Sequence, residues 1–291
     1  MKNKIKLGIP KGSLQNATIA LFKRSGWMIR AEGRSYYPEI NDEEIECAIC
    51  RAQEMSRYVE GGTLDAGLTG KDWIVENNSD VQVVADLVYS KVSSRPARWV
   101  LAVPFESPIN KPEELQGKKV ATELVQYTKK YFSDRNIEAT VEFSWGATEA
   151  KVSSGLADAV VEITETESTI NAHGLRIIEE LMQTNTQFIA NHDIWKDQGK
   201  RKKIEQISLL LKGALLGEQL VGLKMNVPNT HLEKVILLLP SLNAPTVAPL
   251  YQSDWFSVET VVNSHKVREL IPLLLKHGAE GIIEYPLNKV V

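Results

Sequence analysis

The stretch Asp158-Ala159-Val160-Val161-Glu162-Ile163-Thr164-Glu165-Thr166-Glu167-Ser168-Thr169 places carboxylates and hydroxyls at the end of an apolar run. The run reads as a buried strand, and the residues after it as the start of a helix. Open α/β sheets bind ligands outside the carboxyl ends of their strands. Backbone N–H groups at a helix start, helped by Ser and Thr hydroxyls, suit a phosphate. An acidic side chain at the strand end, here Glu162, suits the hydroxyls of a ribose. A plainer reading has equal physical standing: Thr166 or Ser168 caps the helix and Glu162 is solvated.

Other chemistries find no support. His173, His192, His231, His265 and His277 are scattered, without metal-ligand spacing. No nucleophile elbow is present. Cys47 and Cys50 have the spacing of a redox pair, but they fall in a strand-like segment, where residues three apart point to opposite faces.

The elements that must position these residues follow from periodicity. From residue 4 to about residue 191, apolar runs alternate with helical segments, the pattern of a parallel sheet covered by helices. Residues 5–9 form a strand entering the turn Pro10-Lys11-Gly12-Ser13; the next helix buries Leu14, Ala17, Leu21 and Phe22 and stops at Gly26. Strands follow at 45–49, 65–69 and 81–87. After a crossover at Ser93-Ser94-Arg95-Pro96, a second block has strands at 99–103, 119–122, 140–144 and 158–163, with a helix over 125–132. A strand near 187–191 brings the chain back. The expected fold class is α/β, with two lobes and a cleft between them as in periplasmic-type binding proteins; one larger sheet would also fit the alternation. The expected bounds are 1–95 with 180–212 for the first lobe and 96–179 for the second.

The basic run Lys200-Arg201-Lys202-Lys203 reads as a solvated helix face, and Gly213 and Gly217 as a domain boundary. Residues 213–291 follow a β-α-β-β-α-β order, the ferredoxin-like plan, with Pro272 expected to kink the second helix. A net charge of −3, from 34 basic and 37 acidic side chains, gives no large positive field for nucleic acid or membrane binding. No apolar run of about 18 residues exists to span a membrane. The expected compartment is the cytoplasm.

The stretch at 158–169 resembles the phosphoribosyl pyrophosphate (PRPP) loop of ATP phosphoribosyltransferases, an acidic strand end followed by Thr-Gly-x-Thr. Glu167 stands where that family usually has glycine. The resemblance implies PRPP contacts from Asp158, Glu162, Thr164, Thr166, Glu167, Ser168 and Thr169. It extends to Pro10-Lys11-Gly12-Ser13-Leu14, to Arg51-Ala52-Gln53-Glu54-Met55 and to the segment from Asp65 to Asp72. It therefore implies ATP contacts from Lys11, Gly12, Ser13, Leu14, Asp72 and Glu123, and catalytic roles for Arg51, Lys11 and Arg34. A guanidinium at a strand end can fork onto phosphate oxygens, whereas Lys11 and Arg34 also read as ordinary surface cations. Tyr127 is a weaker candidate, and Ser144-Trp145-Gly146 precedes the loop as in the family.

Ala244-Pro245-Thr246-Val247-Ala248-Pro249-Leu250 and the segment from Gly278 to Lys289 resemble the regulatory (ACT-like) domain of the long form. That implies a histidine pocket at Asn226, Leu242, Thr246 and Ala279, positions that ordinary packing would also explain. The implied partners are ATP, PRPP and inhibitory histidine. Mg²⁺ is the implied cofactor, carried mainly on substrate phosphates, and the implied assembly is a homo-oligomer, a dimer or hexamer. Glu167 leaves room for a second reading, a ligand-binding regulatory protein that keeps the scaffold without catalysis.

Overall fold

The computed structural model describes residues 4–31, 35–89, 96–146, 148–240, 242 and 244–291. Arg34 and residues 93–95 of the expected crossover lie outside the described residues. The chain forms two compact units, residues 1–23 with 27–208, and residues 24–26 with 209–291.

The first unit begins with β1 (Ile5–Lys11), α1 (Gln15–Ser25) and a short ribbon of β2 (Ile29–Arg30) and β3 (Glu39–Ile40). It continues through β4 (Ile45–Arg51), α2 (Ala52–Glu60), β5 (Ala66–Gly70), α3 (Lys71–Glu76) and β6 (Gln82–Leu87). Leu7, Gly8 and Ile9 are all buried, as befits a central strand covered on both faces. A second sheet is built from β7 (Ala97–Pro104), β8 (Lys119–Thr122), α4 (Val125–Ser133), β9 (Thr140–Phe143), α5 (Thr148–Ser153), β10 (Ala159–Thr164), α6 (Ser168–Ala172) and β11 (Leu175–Thr184). The chain then returns as β12 (Thr186–Ala190), followed by α7 (His192–Lys196) and α8 (Gln198–Gln219).

The strand orders are β4-β1-β5-β12-β6 and β11-β7-β10-β8-β9. Two five-stranded sheets rather than one larger sheet are therefore formed by the described residues of this unit, and neither is all-parallel. Returning from the second sheet, β12 enters between β5 and β6 antiparallel to both, and β10 is antiparallel to β7 but parallel to β8. The ten-residue β11 was not anticipated, and the expected lobe boundary at residue 180 falls inside it.

Half of the basic run on α8 is a solvated face, since Arg201 and Lys202 are exposed, while Lys200 and Lys203 turn inward onto carboxylates. Lys200 Nζ lies 2.8 Å from Asp65 Oδ2, with both side chains largely buried. Lys203 Nζ lies 2.7 Å from Asp42 and 3.0 Å from Glu44. Helix α8 does not break at Gly213 or Gly217. These glycines serve close packing, because a Cβ on either would meet the backbone of residues 288–290 at 3.1 Å or less.

The second unit contains β13 (Leu220–Pro228), α9 (Leu232–Leu238), β14 (Thr246–Pro249), β15 (Trp255–Asn263), α10 (Val267–Lys276) and β16 (Glu280–Pro286). Its antiparallel sheet has the order β14-β15-β13-β16, the ferredoxin-like arrangement. Leu223, Met225, Val235, Val258, Leu270 and Leu274 form its separate core. Pro272 is exposed within α10, which continues to Lys276.

Candidate functional site

β1 and β4 run parallel in a register that pairs Lys11 with Arg51 at their carboxyl ends. Adjacent strands lie about 4.8 Å apart, so two cations emerge side by side at one sheet edge. Together with Gly12, Ser13, Leu14 and Asp72 they line one wall of a cleft of about 560 Å³. Gly12 takes a φ of 99° in the turn between β1 and α1. The opposite wall is built by the second sheet: Glu123 after β8, and Glu162, Thr164, Thr166, Ser168 and Thr169 at the end of β10. Thr184, Asn185 and Thr186, where the chain passes from β11 to β12, complete the lining.

The loop after β10 holds its own shape. Thr164 Oγ1 accepts the Glu167 N–H at 2.8 Å, and the Thr166 and Ser168 hydroxyls bond to each other at 3.0 Å. The residue at the helix N-cap position is Glu167, which makes no side-chain capping bond. The capping role considered for Thr166 or Ser168 is therefore not the one adopted. Glu167 has φ 62° and ψ 0°, a left-handed conformation that favours glycine. Its carboxylate does not line the cleft; it pairs with Arg98 of β7, which also reaches Glu180 of β11 at 3.2 Å.

Asp158 is a correction. It precedes β10, at the amino end of the strand, where it accepts the Lys119 N–H at 2.9 Å and lies 3.6 Å from Lys118 Nζ. At about 3.3 Å per residue, the whole length of the strand separates it from the loop. Asp158 and the loop thus belong to one sequence motif but to opposite ends of β10.

Asp72 is buried at the start of α3. Its Oδ2 accepts Trp99 Nε1–H at 2.8 Å, and its Oδ1 accepts the Thr184 hydroxyl at 3.0 Å. Burial raises its pKa above the usual carboxylate value, and these hydrogen bonds only partly oppose the rise. A Cβ at Gly70 would collide with Asp72 Oδ1, so glycine makes room for the buried carboxyl. Asp72 thus joins the first sheet's α3 to β7 and to the end of β11. Glu76 on the same helix adds a second tie, accepting the Gln126 and Tyr127 N–H groups of α4, each at 2.9 Å. The Tyr127 hydroxyl donates to the Leu181 carbonyl at 2.7 Å and its ring packs on the second core, so Tyr127 is structural.

Burial pushes the Cys47 and Cys50 thiols up to about 12, unsuited to redox work. Tyr89, also lining the cleft, shares a 2.8 Å hydrogen bond with Thr18, and burial pushes its hydroxyl up to about 12. Among the described residues no group of three or more acidic, His or Cys side chains is arranged to hold a metal. The cleft's hard oxygen donors, Glu162 and Glu123, are the kind that take Mg²⁺ when it arrives on a phosphate ligand.

In the second unit, Asn226 on β13 and Thr246 on β14 share a sheet face. Asn226 is opposite Ser257 and Thr246 is opposite Glu259, two residues along β15. Ala279 is instead buried in the core on the helix side, and Leu242 is 58% exposed in the connection before β14. No helix among the described residues is long and apolar enough to cross a membrane.

Trp99, Thr184, Glu76 and Arg98 were missed. The run Thr184-Asn185-Thr186 between two apolar strands was a usable signal; the others act only through contacts distant in sequence.

A family model described as ATP phosphoribosyltransferase matches residues 51–213, and one described as HisG, C-terminal domain, matches residues 218–289. The chain is 72% identical over 291 residues to an ATP phosphoribosyltransferase of Desulfosudis oleivorans, covering 100% of both chains. It is 69% identical over 291 residues to that of Desulfatibacillum aliphaticivorans, again with 100% of each covered. The solved ATP phosphoribosyl transferase (HisG:HisZ) complex from Thermotoga maritima aligns with a TM-score of 0.61 and 24% identity, over 71% of this chain and 98% of that one. At that identity the likeness concerns the fold alone.

Proposed function

Because this chain belongs to the ATP phosphoribosyltransferase family, in the long form that carries the C-terminal domain, we propose a specific division of labour in its cleft. Members of the family catalyse the first step of histidine biosynthesis. In the proposed reaction N1 of the adenine of ATP attacks C1′ of PRPP, the C1′–oxygen bond breaks, and pyrophosphate leaves with the electron pair. The adenine nitrogen is already a neutral nucleophile, so the protein supplies alignment and charge stabilisation. Alignment in a closed cleft contributes up to about 7–11 kcal/mol.

The adjacency of Lys11 and Arg51 opposite the hydroxyl-lined loop is the observation that carries this reading. The two cations receive the departing pyrophosphate. Thr164, Thr166, Ser168 and Thr169 with the loop amides hold the 5′-phosphate, and Glu162 binds the ribose hydroxyls. Gly12, Ser13, Leu14 and Glu123 contact ATP. Asp72 keeps that wall in place through Trp99 and Thr184, and Arg34 adds a further cation. Mg²⁺, held mainly by the substrates' phosphates with Glu162 or Glu123 in reach, would supply further neutralisation of phosphate charge. Histidine binds the C-terminal domain near Asn226 and Thr246 and inhibits, and the protein works as a homo-oligomer in the cytoplasm.

The test is to mix the protein with ATP, PRPP and Mg²⁺ and follow the ultraviolet absorbance of the adenine ring. Product formation that histidine suppresses is expected, and no product at any substrate level sinks the proposal. Arg51→Ala should lower kcat/KM by about 10²–10³, the usual effect of removing one preorganised charge-stabilising donor. A change below threefold would remove Arg51 from the catalytic group.

A further inference from the structure

Lys11 and Arg51 each rest on an aromatic ring and, among the described residues, on no carboxylate. The Arg51 guanidinium carbon is 4.6 Å from the centroid of the Trp145 ring. Lys11 Nζ is 4.5 Å from the centroid of the Tyr36 ring and 3.4 Å from its hydroxyl oxygen. Among the described residues neither cation has an acidic side chain within ion-pair distance. The contrast within the same unit is direct, since Arg98, Lys200 and Lys203 are each held by carboxylates.

The difference has a chemical consequence. A carboxylate partner cancels the charge it orients and occupies N–H donors. A ring face attracts the cation through its quadrupole and leaves the guanidinium's edge donors available. Trp145 is 62% exposed and Tyr36 56% exposed, so neither ring is there to fill a core. Neither lines the cleft, although both cations do. Each cation thus has a ring on one side and is among the residues lining the cleft. Trp145 follows β9 of the second sheet while Arg51 ends β4 of the first, so this pair also fixes Arg51 relative to the opposite wall.

We propose that Trp145 and Tyr36 are positioning residues that hold Arg51 and Lys11 by their ring faces, as un-neutralised receptors for the diphosphate of the phosphoribosyl donor. The proposal rests on the reading of the cleft given above and adds to it the residues that aim its cations. A ring–cation contact of this kind is worth about a two- to thirtyfold change in affinity, depending on how far it is desolvated.

The experiment compares the full-length protein with W145A and W145F. In W145A the KM for PRPP should rise about two- to thirtyfold, with kcat and the KM for ATP changed less than twofold. W145F should stay within about threefold of the parent, because a phenyl face still attracts a cation. Calorimetry with inorganic pyrophosphate alone should show the same ranking, and in an R51A background W145A should cost nothing further. Unchanged pyrophosphate affinity in W145A overturns the proposal. So does a rise confined to the KM for ATP, which would place the ring against the adenine. Absence of transferase activity in the parent would defeat the reading of the reaction, while the pyrophosphate titration would still decide the role of the rings. Tyr36→Phe should retain the Lys11 seat and Tyr36→Ala should lose it, on the same pyrophosphate scale.

Discussion

At position 167 a glutamate holds a backbone conformation that favours glycine, in the middle of the loop expected to grip a phosphate. A left-handed residue with a Cβ costs about 1–2 kcal/mol, and an unpaired carboxylate there would repel the ligand. Arg98 answers the second difficulty by drawing the carboxylate away from the cleft, and Glu180 holds Arg98 from the other side. Both partners are partly exposed, so the pair itself adds little to stability; its value lies in where it keeps the charge. Glu167→Gly should leave the KM for PRPP within about twofold, since the gain of a relaxed backbone and the loss of a tether offset each other. Arg98→Met should raise that KM severalfold by freeing the carboxylate, and the double variant should recover it. A large tightening in Glu167→Gly alone would show that the carboxylate does face the phosphate. The departure from the family's glycine was readable in the sequence, as were Lys11 and Arg51 at strand ends. Its remedy was not, because Arg98 lies 69 positions away and nothing local marks it.

At the scale of elements, α3 carries two ties between the two sheets, through Asp72 to Trp99 and Thr184 and through Glu76 to the start of α4. Replacing Glu76 with Ala should cost about 1 kcal/mol, the usual worth of a cap, read as a shift in the urea midpoint with an unchanged slope. The carboxylates also give opposite pH signatures. Burial would raise the pKa of Asp42, but hydrogen bonds from Lys203, Trp27 and the Glu44 N–H outweigh it and hold the carboxyl below its ordinary value of 3.8. Its folded pKa is depressed, so its stabilisation is present above pH 3.8 and is lost as pH falls through the lower folded value. Asp72 has a raised folded pKa, so its ionisation penalty enters as pH rises past 3.8 and is complete above the folded value. Chemical denaturation across pH should therefore find Asp42→Asn losing most, relative to the parent, at neutral pH. Asp72→Asn should gain relative to the parent as pH rises, and a difference constant with pH would contradict this. Strand and helix positions with clean periodicity were legible beforehand; β11 was not. Its pairing with β7 shifts register between Ile177 and Glu179 and again between Glu180 and Met182, and each irregularity erases the two-residue alternation that marks a strand.

At the scale of the whole molecule, two units with separate cores divide the proposed labour, the first holding the cleft and the second presenting Asn226 and Thr246 on one sheet face. The ferredoxin-like order was legible from two helical spacings and four apolar runs. The main segment of the second unit begins at Leu209, close to the Gly213–Gly217 segment but inside α8, which stays helical through both glycines, and those glycines answer to the packing of residues 288–290. If histidine binds the second unit and weakens substrate binding in the first, the coupling must be mutual. Whatever factor histidine imposes on PRPP affinity, PRPP must impose on histidine affinity. Histidine at about 100 times its Kd should also stabilise the native chain by roughly 2.7 kcal/mol, visible as a rise in Tm. Asn226→Ala should abolish both the Tm shift and the inhibition while leaving activity without histidine intact, because the residue belongs to the unit without the cleft. Titrating histidine with and without saturating PRPP checks the reciprocity directly. Unequal factors would mean that inhibition does not act through the equilibrium affinity for PRPP. A Tm shift that survives in Asn226→Ala would move the histidine site elsewhere on the chain.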